Sequence, residues 1–317
     1  MSSASPSTAP RSSATAARYP HPAAVLELLK PITWFPPMWA FMCGVVSAGI
    51  AFEGRYLMIL GGIVLAGPLV CAMSQAINDW HDRHVDAINE PERPIPSGRV
   101  PGQWGLYIAG VWTLLSLALA SLFGFWVVVA TLVGLVLAWA YSAPPLRLKE
   151  NGWYGNAAVA ICYEGLAWFT GAAIMVGGLP DWRIIVLAAL YSAGAHGIMT
   201  LNDFKSISGD RQMGVRTIPV QIGADSAAKL ASVVMALPQV VVIGLLLSWG
   251  LQVHAALVCG LLLAQLWLMK KYLMDEVNLL LHPKKIAAIY NGTGTTLYVL
   301  GMLVSAFGIG SLLSGGA

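Results

Sequence analysis

Residues 57–99 read LMILGGIVLAGPLVCAMSQAINDWHDRHVDAINEPERPIPSGR. Residues 57–78 carry no charge and are long enough to cross the hydrocarbon core of a bilayer, which needs about 20 apolar residues in a helix. The chain then turns acidic within a few positions, with Asp79, Asp82, Asp86, Glu90 and Glu92 in quick order. Pro91, Pro94 and Pro96 end the helix and stiffen the loop after it. This stretch predicts a membrane helix that delivers carboxylates to one face of the membrane.

Comparable apolar runs recur along the chain, at 32–52, 104–122, 124–142, 154–177, 183–201, 229–249, 252–270 and 286–313. With 57–78 they make nine expected helices, and the cut near Gly124 has the least polar turn. Composition agrees. Of 317 residues, 57% are hydrophobic and 10% are charged, and mean hydropathy is +0.69. Soluble domains carry about 25% charged residues, so the fold class is an all-α polytopic membrane protein. A disordered chain and an ordinary soluble globular protein are both excluded. The net charge of +3 gives no nucleic-acid footprint, so no nucleic-acid partner is expected.

Basic residues orient the helices. With the N-terminus cytoplasmic, the inside segments hold 16 of the 18 Lys and Arg residues, and only Arg55 and Arg183 fall outside. Residues 1–24 are Ser-, Ala- and Pro-rich with Arg11 and Arg18 and no acid. They read as a disordered leader before a single transmembrane domain over 25–317. The alternative is an organelle transit peptide, which has the same composition. The four cysteines lie in apolar runs without metal-ligand spacing and read as small buried hydrophobes.

Two inside segments, 79–103 and 202–228, are long and rich in Asp. At about 100° per helical residue, taking Asn78 as zero, Asp82, Asp86 and Asp79 fall at roughly 40°, 80° and 100°. These oxygen donors share one face, while His81 and His84 point elsewhere. No cation stands on that helix face to neutralise them, and a hard divalent ion such as Mg²⁺ would. The second segment, NDFKSISGDRQMGVRTIPVQIG (202–223), places Asn202, Ser206, Asp210 and Asp203 at the same angles if its helix continues. Both segments open with Asn-Asp, contain Asp-Arg and reach an Arg-x-Ile-Pro, so they read as diverged copies of one unit. A third inside segment, YSAPPLRLKENGWYGN (141–156), holds Arg147 and Lys149, either as basic anchors or as phosphate binders. Within the spans, Glu164 and His196 read either as interhelical hydrogen-bond partners or as functional groups. An ion-conducting path would need more acids at depth than Glu164 alone.

These motifs resemble the UbiA-type intramembrane prenyltransferases. DAINEPERPIPSGR, YSAPPLRLK and NDFKSISGD are similar to the chlorophyll and bacteriochlorophyll synthase subgroup, and NDWHDRHVDAINEP to its bacteriochlorophyll branch. The resemblance covers residues 25–317. It implies a UbiA-like bundle and transfer of a geranylgeranyl or phytyl group from its diphosphate to the propionate of a (bacterio)chlorophyllide. A quinone, other aromatic or haem acceptor is the alternative. It also implies a bacterial inner, photosynthetic membrane, or else a chloroplast membrane, with lipid and other pigment-synthesis or photosystem-assembly proteins as neighbours.

Carried over residue by residue, Asn78, Asp82 and Asp86 resemble Mg²⁺ ligands, with Asp79 beside them, and Asp210 resembles a ligand of the second motif. The family's second motif has Asp where this chain has Ser206, so Asp203 is expected to substitute. Lys149, Arg83, Lys205 and Arg211 are expected to stabilise the departing diphosphate.

Overall fold

The computed structural model describes residues 19–315. The leader expected over 1–24 lies outside the described residues as far as 18. Pro22–Ala24 instead open the first helix, α1 (Pro22–Leu29), in which Ala24 is already buried. The His21 imidazole caps it by accepting from the Ala23 amide.

Among the described residues, eight helices are long and apolar enough to cross a membrane. They are α3 (Tyr56–Asn89), α4 (Trp104–Ser121), α5 (Phe125–Ser142), α6 (Gly152–Val176), α7 (Trp182–Lys205), α10 (Ala224–Ser248), α11 (Gln252–Leu273) and α13 (Pro283–Ser314). The first expected span, 32–52, is carried by a shorter helix, α2 (Phe35–Ser47). Its 13 residues reach about 20 Å at ~1.5 Å each, less than the ~30 Å core. The short helices α8 (Ile207–Gln212), α9 (Ile218–Ile222) and α12 (Glu276–Leu281) lie in the connections. Among the described residues there is no strand, only one isolated bridge between Asn151 and Arg216.

The expected cut near Gly124 is a real turn. Gly124 takes φ 102°, a left-handed conformation that suits glycine, between the end of α4 and the start of α5. Asp181 and Asn151 cap α7 and α6 by accepting from the amides of Arg183 and Trp153.

The core is aromatic at its centre. Trp168 stacks on Tyr191, which meets Tyr298 edge to face at 5.3 Å. Against this centre α2 and the second half of α6 approach closely through Gly44 and Gly171. Close helix approach through small residues replaces the hydrophobic drive that lipid does not supply. A second cluster packs Leu28 and Leu29 of α1 against Met73, Ala76 and Ile77 of α3.

Both arginines expected outside have structural roles. Arg55 donates to the Met175 carbonyl near the C-terminus of α6, at 3.0 Å, and Arg183 pairs with Asp181 at 2.8 Å.

Candidate active site

The helix α3 runs unbroken to Asn89, so the expected shared face of Asn78, Asp79, Asp82 and Asp86 exists. What differs is the charge around it. Asp79 is buried, and its Oδ1 lies 2.6 Å from Lys30 Nζ and 3.5 Å from Arg93 Nη1. The same Arg93 nitrogen lies 2.9 Å from Asp86 Oδ2, and Arg93 also contacts Glu90. Asp82 Oδ1 lies 2.5 Å from Lys149 Nζ and 3.8 Å from Arg147 Nη2. The expectation that nothing neutralises this face is therefore corrected: four cations reach it. They come from other segments, which a single-helix projection does not display. Among the described residues, no three acidic, His or Cys side chains converge into one cluster.

Burial pushes the Lys149 ammonium below its usual range, while Asp82 works in the opposite direction. Burial also opposes the charge on Arg93, but Asp79, Asp86 and Glu90 hold its guanidinium above its ordinary value.

The second motif is built differently. The α-helical part of α7 ends at Asn202, a tight 3₁₀ turn covers Asp203–Lys205, and Ser206 is non-helical at φ −118° and ψ 4° before α8 begins. The angular equivalence with the first motif therefore stops at Ser206, and Asp203 and Asp210 do not share one continuous helix face. Asp203 accepts from Asn156 Nδ2 of α6 at 3.1 Å. Asp210 accepts from Ser206 Oγ at 2.7 Å and from Thr217 Oγ1 at 3.3 Å.

Backbone bonds lash the third polar segment, 141–156, to the second. Gly152 donates to the Arg216 carbonyl at 2.8 Å, and Arg216 donates to the Glu150 carbonyl at 2.9 Å. So all three polar segments meet at one end of the bundle.

A cavity of about 630 Å³ opens among them. Asn78, Tyr141, Asn156, Asp203 and Lys205 line it, and Glu164 lines it further along α6. The opening residues of both Asp motifs thus face one space. Asp82 and Asp86 lie one and two turns beyond Asn78 on α3. Arg83 is not brought to the carboxylates: its guanidinium sits 4.1 Å over the Trp80 ring and donates to the Trp80 carbonyl. Arg211 lines a separate groove with Lys205 and Lys284. Lys205 alone borders both spaces.

Lys30, Arg93 and Asn156 are site residues that sequence reasoning missed. Arg93 had a signal, the Arg-x-Ile-Pro repeated at both motifs. In the second copy Arg216 uses its backbone instead. Lys30 carried no signal beyond its sign.

The wider family is visible in comparisons. Residues 33–289 match the model of the UbiA prenyltransferase family. The chain is 57% identical to the bacteriochlorophyll synthase 33 kDa chain of Cereibacter sphaeroides, over 92% of this chain and 95% of that one. It is 38% identical to the chloroplastic chlorophyll synthase of Avena sativa, over 89% of this chain and 75% of that one. The fold is similar to that of a UbiA homologue from Archaeoglobus fulgidus solved with GPP and Mg²⁺. The TM-score is 0.68 at 22% identity, covering 87% of this chain and 99% of that one.

Proposed function

From the premise that the chain belongs to the UbiA prenyltransferase family, we propose that it esterifies a (bacterio)chlorophyllide with a geranylgeranyl or phytyl group. It is an integral membrane prenyltransferase. The bond between the prenyl C1 and the diphosphate oxygen breaks. A new C1–O bond forms to the propionate carboxylate, and inorganic diphosphate departs. Likeness to bacteriochlorophyll synthases along nearly the whole chain supports this acceptor and places the enzyme in a bacterial photosynthetic membrane.

What carries the reading is that the opening residues of both Asp motifs, Asn78 with Asn202 and Asp203, line one cavity. A divalent ion fits the donors present. They are carboxylate and amide oxygens, the hard ligands Mg²⁺ takes, and the buried Asp79 Oδ2 has no hydrogen-bond partner. We assign Asn78, Asp82 and Asp86 as holders of one Mg²⁺ and Asp203 and Asp210 as holders of a second, with Asp79 beside the first. When bound, Mg²⁺ supplies positive charge that makes diphosphate a competent leaving group.

The chain's own residues do the rest. Lys149 reaches Asp82 from the loop after α5 and is placed to donate to a phosphate oxygen beside it. Lys205, at the cavity wall, offers a second ammonium. Such preorganised charge is usually the largest catalytic contribution. Tyr141 and Tyr163 line the cavity, and an aromatic face beside the allylic cation contributes roughly 0.5–2 kcal/mol. The propionate is ionised at neutral pH, so the acceptor needs no general base.

The test is incubation of membranes containing the protein with bacteriochlorophyllide, geranylgeranyl diphosphate and Mg²⁺, followed by pigment chromatography. Esterified pigment is expected. Prenylation of an aromatic acceptor in its place would overturn the reading.

A further inference from the structure

Glu164 is the cavity group that this mechanism leaves unused. It lies inside the membrane, 6% exposed, and its Oε2 is buried without a hydrogen-bond partner. It belongs to a π-helical segment, Ile161–Leu166, within α6. Such wide turns recur at functional sites because they re-aim a side chain. Here Tyr163 and Glu164, consecutive in sequence, both line the cavity.

Other polar side chains along the cavity are already engaged. Gln75 Nε2 and Cys71 Sγ donate to the Tyr163 hydroxyl at 3.1 and 3.3 Å. Thr296 donates to the Gly292 carbonyl, and Thr295 donates to Asn291. Glu164 is thus a hard oxygen donor that lines the cavity and has an uncommitted atom. Leaving such a group without a partner is costly, so the cavity is built for a ligand that supplies one.

We infer that Glu164 is the axial ligand for the central Mg²⁺ of the bacteriochlorophyllide acceptor, and so fixes the macrocycle for transfer. The inference rests on the proposed acceptor. A ring-bound Mg²⁺ has four nitrogens in plane and takes a further hard ligand along its axis. Besides Glu164 the described cavity lining holds no histidine and one carboxylate, Asp203, which accepts from Asn156 and is assigned above to the second Mg²⁺. Position agrees. Glu164 is eight residues along α6 from Asn156, the partner of Asp203, or about 12 Å at ~1.5 Å per residue. The reacting propionate is a short arm of the ring. With its carboxylate near the motifs, the ring centre lies one arm deeper, on the Glu164 side.

The experiment compares bacteriochlorophyllide with its metal-free form, as ligands and as acceptors, on the full-length membrane protein and on Glu164→Leu, Glu164→Gln and Glu164→His. The wild type is expected to bind the Mg²⁺ pigment at least about tenfold tighter than the metal-free one, a difference of about 1.4 kcal/mol. Binding should shift the absorption bands of the Mg²⁺ pigment as its axial ligand changes. Glu164→Leu should erase both the preference and the shift, Glu164→Gln should reduce them, and Glu164→His should restore them, because imidazole also ligates along the axis. Variants that still bind geranylgeranyl diphosphate are folded. If Glu164→Leu does not fold, the Gln and His pair decides. A metal preference that survives Glu164→Leu and Glu164→Gln overturns the inference. So does equal weakening of both pigments with no rescue by His. A wild type that esterifies neither pigment and prenylates an aromatic acceptor overturns the proposed function, and this inference with it.

Discussion

Ser206 donates a hydrogen bond to Asp210 across 2.7 Å, from the point where the chain breaks between α7 and α8. Ser206, at the position where the resemblance leads one to expect a carboxylate, thus holds Asp210 in place. Removing such a bond costs roughly 1 kcal/mol, so Ser206→Ala is expected to lower turnover about three- to tenfold. Asp203→Ala and Asp210→Ala are each expected to lower it by about a hundredfold or more. Turnover at matched membrane expression and varied Mg²⁺ checks this series. An inactive Ser206→Ala beside a near-normal Asp203→Ala would overturn the role given to Asp203.

The Lys149–Asp82 pair separates a structural salt bridge from a metal ligand. Lys149 is 14% exposed along its side chain, so Asp82→Ala leaves a largely buried ammonium unpaired and should lower the thermal midpoint. Adding Lys149→Met should recover part of that stability. It should not recover turnover, because the ligand is still missing. Asp82→Ala is expected to lose about a hundredfold in kcat/KM, and EDTA should abolish wild-type activity until Mg²⁺ is restored. A double variant with wild-type turnover, or full activity in EDTA, would remove Asp82 from the metal site.

The fold was legible because a membrane leaves few choices. Apolar length alone marks the spans, and the eight long helices fall where apolar runs predict them. The first motif was legible because α3 stays helical to Asn89, so angular arithmetic holds. The second was legible only up to Ser206, where the chain leaves the helix and the arithmetic ends. Lys30 and Asn156 were hidden for another reason. Each reaches its Asp from more than forty residues away, and no local pattern encodes a tertiary contact of that kind. Arg83 shows the converse. Its place beside the motif suggested phosphate binding, yet its own Trp80 takes the guanidinium.

Helix approach through glycine gives a prediction about stability alone. A Cβ on Gly44 would sit 2.0 Å from the Trp168 carbonyl oxygen, and one on Gly171 would sit 2.1 Å from that of Phe41. Both obstacles are backbone, so α2 and α6 would have to separate. Gly44→Ala is expected to destabilise by several kcal/mol, or to prevent accumulation of folded protein. Gly244→Ala is the control, because a Cβ there meets nothing within 4 Å. It should be neutral or slightly stabilising. Thermal unfolding in detergent, with folded yield by size-exclusion chromatography, distinguishes the two. An unchanged midpoint for Gly44→Ala would mean that α2 and α6 do not pack this closely.

Topology turns on α2. Eight long helices alone would return the chain to the face from which it set out, and α2 as a ninth crossing would put the two ends on opposite faces. Lysines and arginines gather at one end, where Lys149, Lys205, Arg211 and Lys284 sit near the motifs. The two residues away from that end, Arg55 and Arg183, are each tied down, Arg55 on the Met175 carbonyl and Arg183 on Asp181. Neither is a free charge opposing the positive-inside arrangement. α2 is also buried on the α6 side, with Phe41, Cys43 and Val45 fully enclosed. A helix lying on the membrane surface would leave one side to water. We expect a reporter inserted in the 202–228 loop to read out as cytoplasmic, and one fused after Ala317 to read out on the opposite face. Both reporters on one face would mean that α2 enters the bundle without crossing it. The even count of long helices would then set the topology.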